Sequence, residues 1–152
     1  MPLPIALEHV FDAHVSVARP LEFGDTGLGE RRIIDIIGGT VSGPRLQGKV
    51  KPGADFQIIR PSGLTELHAR YVIETNDGAL IYVVNDGIRF GPRDALDSLK
   101  RGEPVDPALI YFRSVPRFET AAPACSWLME SIFVATGARR PDAVELSVYR
   151  II

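Results

Sequence analysis

Leu64–Phe90 reads LTELHARYVIETNDGALIYVVNDGIRF, and this stretch decides the fold. Two runs rich in β-branched and aromatic residues flank Asn76-Asp77-Gly78, which predicts a β-hairpin. Asp-Gly suits the positive φ angles of a two-residue type I′ turn, and such a turn pairs Asn76 with Ala79. In that register one face of the hairpin is almost wholly apolar and the other collects polar side chains. The apolar face carries Leu67, Tyr71, Ile73, Tyr82 and Val84, and the polar face carries Glu66, His68, Arg70, Asn85 and Arg89.

The rest of the chain continues the strand pattern with frequent interruptions. Gly 14 and Pro 12 in 152 residues leave little room for long regular elements, and the one helical stretch is Arg93–Arg101, which Gly102 ends. Pro20–Gly29 is expected to be a loop and Pro52-Gly53 a turn. These patterns predict an all-β, antiparallel barrel or sandwich of about eight strands in a single domain, residues 1–152. Further strands are expected at Ile5–Ala18, Arg31–Ile37, Thr40–Val50, Phe56–Arg60, Leu109–Arg117, Trp127–Thr136 and Val144–Ile151.

Charge and length exclude several classes of function. Lys+Arg 17 against Asp+Glu 19 gives a net charge of -2, whereas a nucleic-acid surface needs a clustered basic excess. The longest stretch without Gly or Pro is Ile5–Arg19, shorter than the ~20 apolar residues of a membrane-spanning helix. Neither nucleic acid nor a membrane is therefore expected as a partner.

Cysteine and histidine usage sets further expectations. Cys125 is the single cysteine, so no disulfide forms within the chain, and Met1-Pro-Leu-Pro lacks the start of a signal peptide. A cytoplasmic location is expected. His9, His14 and His68 have no metal-ligand spacing, so neither a metal nor another cofactor is expected.

Eight short motifs, in this order and spacing, resemble the family called domain of unknown function 3237. The resemblance runs from about Leu7 to Tyr149, and it implies a small closed β-barrel similar to allene oxide cyclase and, more distantly, to lipocalins, found mainly in bacteria and fungi. Two positions depart from the family pattern: His68 stands where aspartate is common, and Met129 where asparagine is common. The motifs are Gly38-Gly39-Thr40, Gly43–Gly48, Pro52–Asp55, Ala69-Arg70-Tyr71, Asn76–Tyr82, Asn85–Arg89, Tyr111-Phe112-Arg113 and Pro116–Thr120.

The candidate site collects polar and aromatic side chains that would line such a barrel. Arg70, Asn85 and Asp55 are the candidate catalytic residues, because they would polarise or orient oxygen atoms of a ligand. An eight-stranded barrel holds either packed side chains or one small ligand. Three alternatives stay open. The polar hairpin face could be the solvated outside of the barrel, with Glu66 paired to Arg89. Asp55 could instead cap a turn, and Trp127 could be plain core. The candidate ligand-binding residues are His68, Arg89, Tyr111, Arg113, Trp127 and Met129.

Three functions are compatible with these residues. The first is a cofactor-free isomerase, cyclase or lyase acting on a small apolar organic molecule. The second is a non-catalytic carrier, which the changes at His68 and Met129 favour. The third is a structural subunit with a filled barrel. A homo-oligomer is also expected, because the apolar hairpin face needs cover if the polar face lines the lumen.

Overall fold

The computed structural model describes all 152 residues, and strands dominate it. The order of elements confirms the predicted all-β fold with one short helix. The elements are β1 (Leu7–Val17), β2 (Leu21–Asp25), β3 (Glu30–Ser42), β4 (Gly48–Ile59), β5 (Thr65–Thr75), β6 (Leu80–Phe90), α1 (Arg93–Lys100), a 3₁₀ turn (Pro107–Leu109), β7 (Tyr111–Glu119), a 3₁₀ segment (Pro123–Met129), β8 (Phe133–Arg139) and β9 (Ala143–Ile151).

The strands form a closed antiparallel barrel. The sheet order is β1-β9-β8-β7-β6-β5-β4-β3-β2, and β1 also pairs with β3, which closes a ring of eight strands. β2 pairs only with β3 and lies outside the ring. Closure leaves one set of side chains facing the lumen and the alternate set facing outward. No helix is long and apolar enough to cross a bilayer.

The register of the β5–β6 hairpin differs by one residue from the predicted register. The structure pairs Glu74 with Leu80 and Ala69 with Asn85, across a three-residue loop instead of a two-residue one. Gly78 has φ 90° and no residue other than glycine has a positive φ, so Asp77 does not adopt the conformation that a type I′ turn requires. The Thr75 hydroxyl instead bonds Asp77 and accepts the backbone N–H of Ala79.

A one-residue shift changes which side chains share a face. Thr65, Leu67, Tyr71 and Ile73 of β5 therefore face the lumen together with Asn85 and Arg89 of β6, and these side chains are buried. The barrel itself covers the β5 part of the apolar face that was expected to need a partner. Self-association stays a prediction, without that support.

Four local expectations were wrong. The expected strand Thr40–Val50 is divided between the end of β3 and the start of β4, with residues 43–47 connecting them. The expected loop Pro20–Gly29 contains β2, and β4 runs straight through Pro52-Gly53. The β4–β5 register shifts between Lys51 and Ala54, and an irregularity of this kind accommodates a proline that cannot donate a ladder hydrogen bond. Pro123–Met129, which includes Trp127, is a 3₁₀ segment instead of the start of a strand, and β8 begins only at Phe133.

The two ends of the barrel differ in what fills them. At the end near the β5–β6 turn, Phe118 packs edge-on against Phe133, with ring centroids 5.3 Å apart, and lies 6.0 Å from Phe11. The 3₁₀ segment Pro123–Met129 contributes Leu128, 2% exposed, to the same core. We call this the packed end. Burial of several aromatic and aliphatic side chains here contributes hydrophobic stabilisation.

The opposite end, which we call the polar end, is partly covered by α1. Ala95, Leu96 and Leu99 of α1 are buried against the barrel. The Lys100 ammonium bonds the Glu30 carboxylate at 2.6 Å, and Arg93 donates to the carbonyl of Pro61 at 2.9 Å. These contacts hold α1 on one side of the barrel mouth, where β6 ends.

Candidate functional site

The polar end encloses a cavity of about 50 Å³ inside the barrel. A single water needs roughly 10–15 Å³ of such space, so the cavity has room for a few waters or for part of a small organic molecule. Ten of the sixteen lining residues are hydrophobic. The remaining lining residues are Asp55, Gln57, Asn85, Arg89, Ser114 and Arg139.

Asp55 is the carboxylate of the cavity. It lies on β4, and its two oxygens accept hydrogen bonds from the backbone N–H of His68 and from Nε2 of Gln57, both at 2.9 Å. Burial raises the Asp55 pKa, and these hydrogen bonds together with the attraction of Arg89 offset the rise only in part. A carboxyl group of this kind takes up and releases a proton closer to neutral pH than an exposed aspartate does.

Several buried polar atoms of the cavity have no hydrogen-bond partner in the protein. They are Oε1 of Gln57, Oδ1 of Asn85, Nε of Arg89 and Oγ of Ser114. Native proteins leave few such atoms, because each costs roughly 1–3 kcal/mol. All four residues line the same cavity and are at most 7% exposed. The concentration of unsatisfied donors and acceptors in one place is typical of a site that receives a polar ligand.

Arg89 and Tyr71 complete the electrostatics of the cavity. Burial lowers the pKa of Arg89 to about 10, so this guanidinium remains charged at neutral pH. Arg89 attracts Asp55, yet no direct ion pair joins them, and both line the cavity. Burial and the Asp55 charge raise the pKa of Tyr71, which keeps its phenol protonated. The cavity therefore holds one carboxyl group, the two cations Arg89 and Arg139, and the neutral hydroxyls of Tyr71 and Ser114.

Three of the predicted site residues lie together in this cavity: Asp55, Asn85 and Arg89. Their sequence positions predicted a shared site, although the predicted register gave them the wrong neighbours. The alternative that Asp55 only caps a turn is wrong, since Asp55 lies within β4 and faces the lumen. The alternative pairing of Glu66 with Arg89 is also wrong, because Glu66 pairs with Ile88.

Arg70 and His68 were predicted to line the lumen and instead lie on the outer face of β5. Both side chains reach the Asp86 carboxylate, Arg70 Nη1 at 2.9 Å and His68 Nδ1 at 3.0 Å. His68 is also 3.7 Å from Glu66. The one-residue shift of register explains this outcome, because it separates Arg70 from Asn85. The polar face of β5 is thus the solvated outside of the barrel, one of the alternatives drawn from the sequence.

The other four predicted ligand-binding residues also lie outside the cavity. Tyr111 and Arg113 face outward from β7, with the Arg113 guanidinium 5.2 Å from the Tyr111 ring centroid. Trp127 packs at the packed end, 5.8 Å from the Phe133 ring, with the Arg45 guanidinium over its face at 4.0 Å. Met129 is 47% exposed. The departures from the family pattern at His68 and Met129 therefore leave the cavity lining unchanged.

Four further residues of the site, Gln57, Tyr71, Ser114 and Arg139, were not predicted from the sequence. Ser114 could have been found, because β7 alternates outward and inward residues and Ser114 follows the buried Phe112 on the inward face. Gln57 shares the inward face of β4 with Asp55. Arg139 is the last residue of β8 and carries no distinguishing sequence signal.

Other reactive groups lie elsewhere. No group of three or more His, Cys, Asp and Glu side chains is arranged to hold a metal ion. Cys125 is buried at the packed end, and that burial raises the pKa of its thiol. A thiol in this setting is a poor nucleophile.

Fold and site together define a class: a small closed antiparallel β-barrel with one packed end and one end that holds a polar cavity. The family model described as Protein of unknown function (DUF3237) matches residues 5–151. The chain belongs to this family, as the sequence motifs predicted.

Two relatives show how far the similarity extends. A UPF0311 protein, blr7842, of Bradyrhizobium diazoefficiens is 55% identical over 145 residues, 95% of each chain. The crystal structure of RPA1785 from Rhodopseudomonas palustris, a conserved protein of unknown function, aligns with a TM-score of 0.93 at 48% identity and covers 100% of both chains. The barrel described above is therefore similar to one determined by crystallography.

A more distant structural match shares only the fold with this chain. The crystal structure of an enzyme from Penicillium herquei aligns with a TM-score of 0.75 at 20% identity, over 100% of this chain and 98% of the other. At that identity the match shows a shared architecture and carries no information about residues of the cavity.

Proposed function

We propose that this protein is a cofactor-free enzyme that moves a proton within a small, mostly apolar organic molecule, as an isomerase, a cyclase or a lyase does. The observation that carries the proposal is the carboxyl group of Asp55, whose pKa burial raises, next to unpartnered hydrogen-bonding groups in an apolar lumen. General acid–base catalysis requires such a group near the operating pH.

The chemistry assigns a role to each lining residue. The Asp55 carboxylate removes a proton from a carbon next to a carbonyl group of the ligand. The bonding electron pair moves onto the carbonyl oxygen, where the Arg89 guanidinium stabilises the negative charge. Asn85 and Ser114 orient that oxygen through their side-chain donors. Asp55 then returns its proton to another atom of the ligand, so the reaction needs neither an oxidant nor a reductant.

The shape of the cavity supports a small apolar substrate. Val15, Ile34, Leu67 and Phe112 form part of its wall, and the polar groups occupy a minority of the lining. Pockets that bind small molecules combine an apolar wall with a few placed polar groups in this way. Exclusion of water from such a lumen strengthens the attraction between Arg89 and a developing oxyanion.

Proton exchange tests the proposal with model compounds in place of the natural substrate. Small ketones, enones and phenols are incubated with the protein in D2O, and ¹H NMR follows the loss of their exchangeable C–H signals. We expect exchange with the natural protein and with the control Asp86→Asn on the outer face. We expect it to fall by roughly 100-fold or more in Asp55→Asn, the usual contribution of a general base.

Three other results would contradict the proposal. Binding to the lumen is followed through the side-chain amide signals of Asn85 and Gln57. A compound that moves these signals and is recovered without exchange or turnover would establish a carrier in place of an enzyme. Exchange that Asp55→Asn leaves unchanged would remove Asp55 from the mechanism. If no compound moves the amide signals, the lumen is not a binding site for this class of molecule.

A further inference from the structure

At the polar end of the barrel, the inward-facing residues of three strands finish with an arginine. Arg32 follows the lumen positions Ile36 and Ile34 on β3, Arg89 follows Asn85 on β6, and Arg139 is the last residue of β8. The three are 4%, 4% and 9% exposed. Buried arginines from three separate strands rarely meet without a shared partner, because each charge costs several kcal/mol to remove from water.

The three guanidinium groups act on one another electrostatically. After burial itself, repulsion from Arg139 and Arg32 holds down the pKa of Arg89, and repulsion from Arg32 does the same for Arg139. Arg89 and Arg139 line the lumen cavity, and Arg32 and Arg139 line a groove on the outside of the mouth. The cluster therefore stands at the passage between solvent and the lumen.

The carboxylates around the cluster leave Arg89 poorly compensated. Glu22 and Glu30 face Arg32, and Asp142 faces Arg139. Asp55 attracts all three arginines and is the one carboxylate that acts on Arg89. Asp55 also prefers its proton more than an exposed aspartate does. The lumen itself is lined by two arginines, Arg89 and Arg139, and by one carboxyl group, Asp55, so positive groups outnumber negative ones there.

The hydrogen bonds of the three arginines also leave donors without acceptors. Nε of Arg89 has no partner, and Nε of Arg32 lies 3.3 Å from the Glu22 carboxylate without forming a hydrogen bond. One Nη of Arg32 donates a long hydrogen bond of 3.4 Å to the carbonyl of Lys100. Nη1 of Arg139 donates to the carbonyls of Arg140 and Ala143. Nε of Arg89 thus has no acceptor within the chain, and Nε of Arg32 has only the ion pair with Glu22.

From this arrangement we infer that the ligand is a small organic anion whose carboxylate binds the cluster of Arg32, Arg89 and Arg139 and whose apolar part extends into the lumen toward Asp55. A planar carboxylate matches the fork of guanidinium donors. The limited room of the lumen, about 50 Å³, favours a body of few atoms. This inference rests on the proposed function for the role of the lumen, and it adds the charge of the substrate. Arg89 would then bind the carboxylate and the carbonyl oxygen next to it through different N–H donors of its guanidinium.

Matched pairs of probe compounds test the charge directly. Benzoate and benzamide, and butyrate and butyramide, are titrated against the protein at constant ionic strength, with sulfate and chloride as further anions. Binding is measured by isothermal titration calorimetry and by the Nε–H signals of the arginines in ¹H–¹⁵N NMR spectra. We expect the carboxylates to bind at least tenfold more tightly than their amides and to move the signals of Arg89 and Arg32.

Variants locate the binding energy. Arg89→Met is expected to weaken benzoate binding tenfold or more, whereas Arg113→Met, on the outer face, is expected to leave it unchanged. The NMR signals of the natural protein keep the test independent of whether Arg89→Met folds. Equal affinity for benzoate and benzamide would overturn the inference. So would sulfate or chloride binding as tightly as benzoate, because the apolar part would then contribute nothing.

The inference and the proposed function fail separately. Asp55→Asn keeps the three arginines, so it should bind benzoate at least as tightly as the natural protein does. If benzoate binds through Arg89 while Asp55→Asn keeps full proton exchange, the anion site stands and the acid–base role of Asp55 is lost. If exchange depends on Asp55 but carboxylates show no preference, the enzyme stands and the substrate class is wrong.

Discussion

The packed end and the polar end of the barrel are built from the same eight strands, but they bury side chains of different character. At the packed end, Phe11, Phe118 and Phe133 interlock, and Leu128 from the 3₁₀ segment completes the core. At the polar end, the same inward positions carry Asn85 and other side chains with unsatisfied atoms. Stability alone would favour apolar residues at both ends. The contrast supports the proposal that the polar end serves binding and chemistry, at a cost in stability that the packed end offsets.

The largest effect is expected from Phe133→Ala at the packed end. Phe133 is 1% exposed and contacts both Phe118 and Trp127, so its removal leaves a cavity that rigid neighbours cannot fill. We expect the free energy of unfolding, measured in urea, to fall by about 3–5 kcal/mol. The matched control is Tyr111→Ala, another aromatic deletion, on the outer face. Equal losses in the two variants would contradict the assignment of the packed end as the stabilising core.

A substitution at the polar end should raise the free energy of unfolding instead of lowering it. Asn85→Val removes an acceptor oxygen that has no partner, so we expect it to raise the free energy of unfolding by about 1 kcal/mol while it impairs ligand binding. Thr65→Val is the control, because the buried Thr65 hydroxyl donates to the carbonyl of Gly63 and its loss should destabilise. If Asn85→Val destabilises as Thr65→Val does, Asn85 is a structural residue.

The pH dependence of stability separates the inner carboxyl from an outer one. Because burial raises the Asp55 pKa, the folded protein binds this proton more tightly than the unfolded chain. The contribution of Asp55 to stability is therefore full below about pH 4 and falls as the pH rises through its folded-state pKa. The difference in melting temperature between Asp55→Asn and the natural protein should be near zero at pH 3.5 and positive at pH 7.

Asp86 provides the opposite case for that experiment. Burial acts to raise its pKa, but hydrogen bonds from Arg70 and His68 outweigh burial and lower it. Asp86→Asn should therefore match the natural protein at low pH and melt at a lower temperature at pH 7. If both variants shift in the same direction as the pH rises, the inner and outer carboxylates do not differ as described.

The smallest effect is expected from Arg70→Met on the outer face. The Arg70 side chain is 36% exposed, and its partner Asp86 is also bonded by His68. Exposed ion pairs contribute little, so we expect a change within about 0.5 kcal/mol and no change in proton exchange. A loss of exchange in this variant would restore Arg70 to the site and would contradict the observed register.

The sequence predicted the barrel, the hairpin, the helix and three of the cavity residues. Strand patterns and turn residues predict the hairpin and the helix, because these elements depend on local sequence. The closed barrel was predicted from the resemblance of the motifs to a known family. The register of the β5–β6 hairpin depends on the type of turn, and Asn76-Asp77-Gly78 suits both a two-residue and a three-residue loop. Because the predicted register was one residue off, the prediction placed Arg70 and His68 in the lumen, whereas they lie on the outer face.

Ser114 and Arg139 show a second reason for what was missed. Their roles come from closure of the barrel, which brings β7 and β8 to face β4 across the lumen. The alternation of β7 places Ser114 on the inward face, but no local pattern shows which residues Ser114 and Arg139 face across the lumen, since both lie far from Asp55 in sequence. Tertiary closure, and not local propensity, therefore sets most of the cavity lining.

The acid–base character of the polar end is tested most directly by titration of the aspartate carboxyl groups, followed by ¹³C NMR. We expect Asp55 to titrate above the ordinary aspartate value of about 3.9 and Asp86 to titrate below it. Addition of benzoate should move the Asp55 signal and leave the Asp86 signal in place. An Asp55 carboxyl that titrates at or below 3.9, with a signal indifferent to benzoate, would contradict the claim that the polar end is an acid–base site.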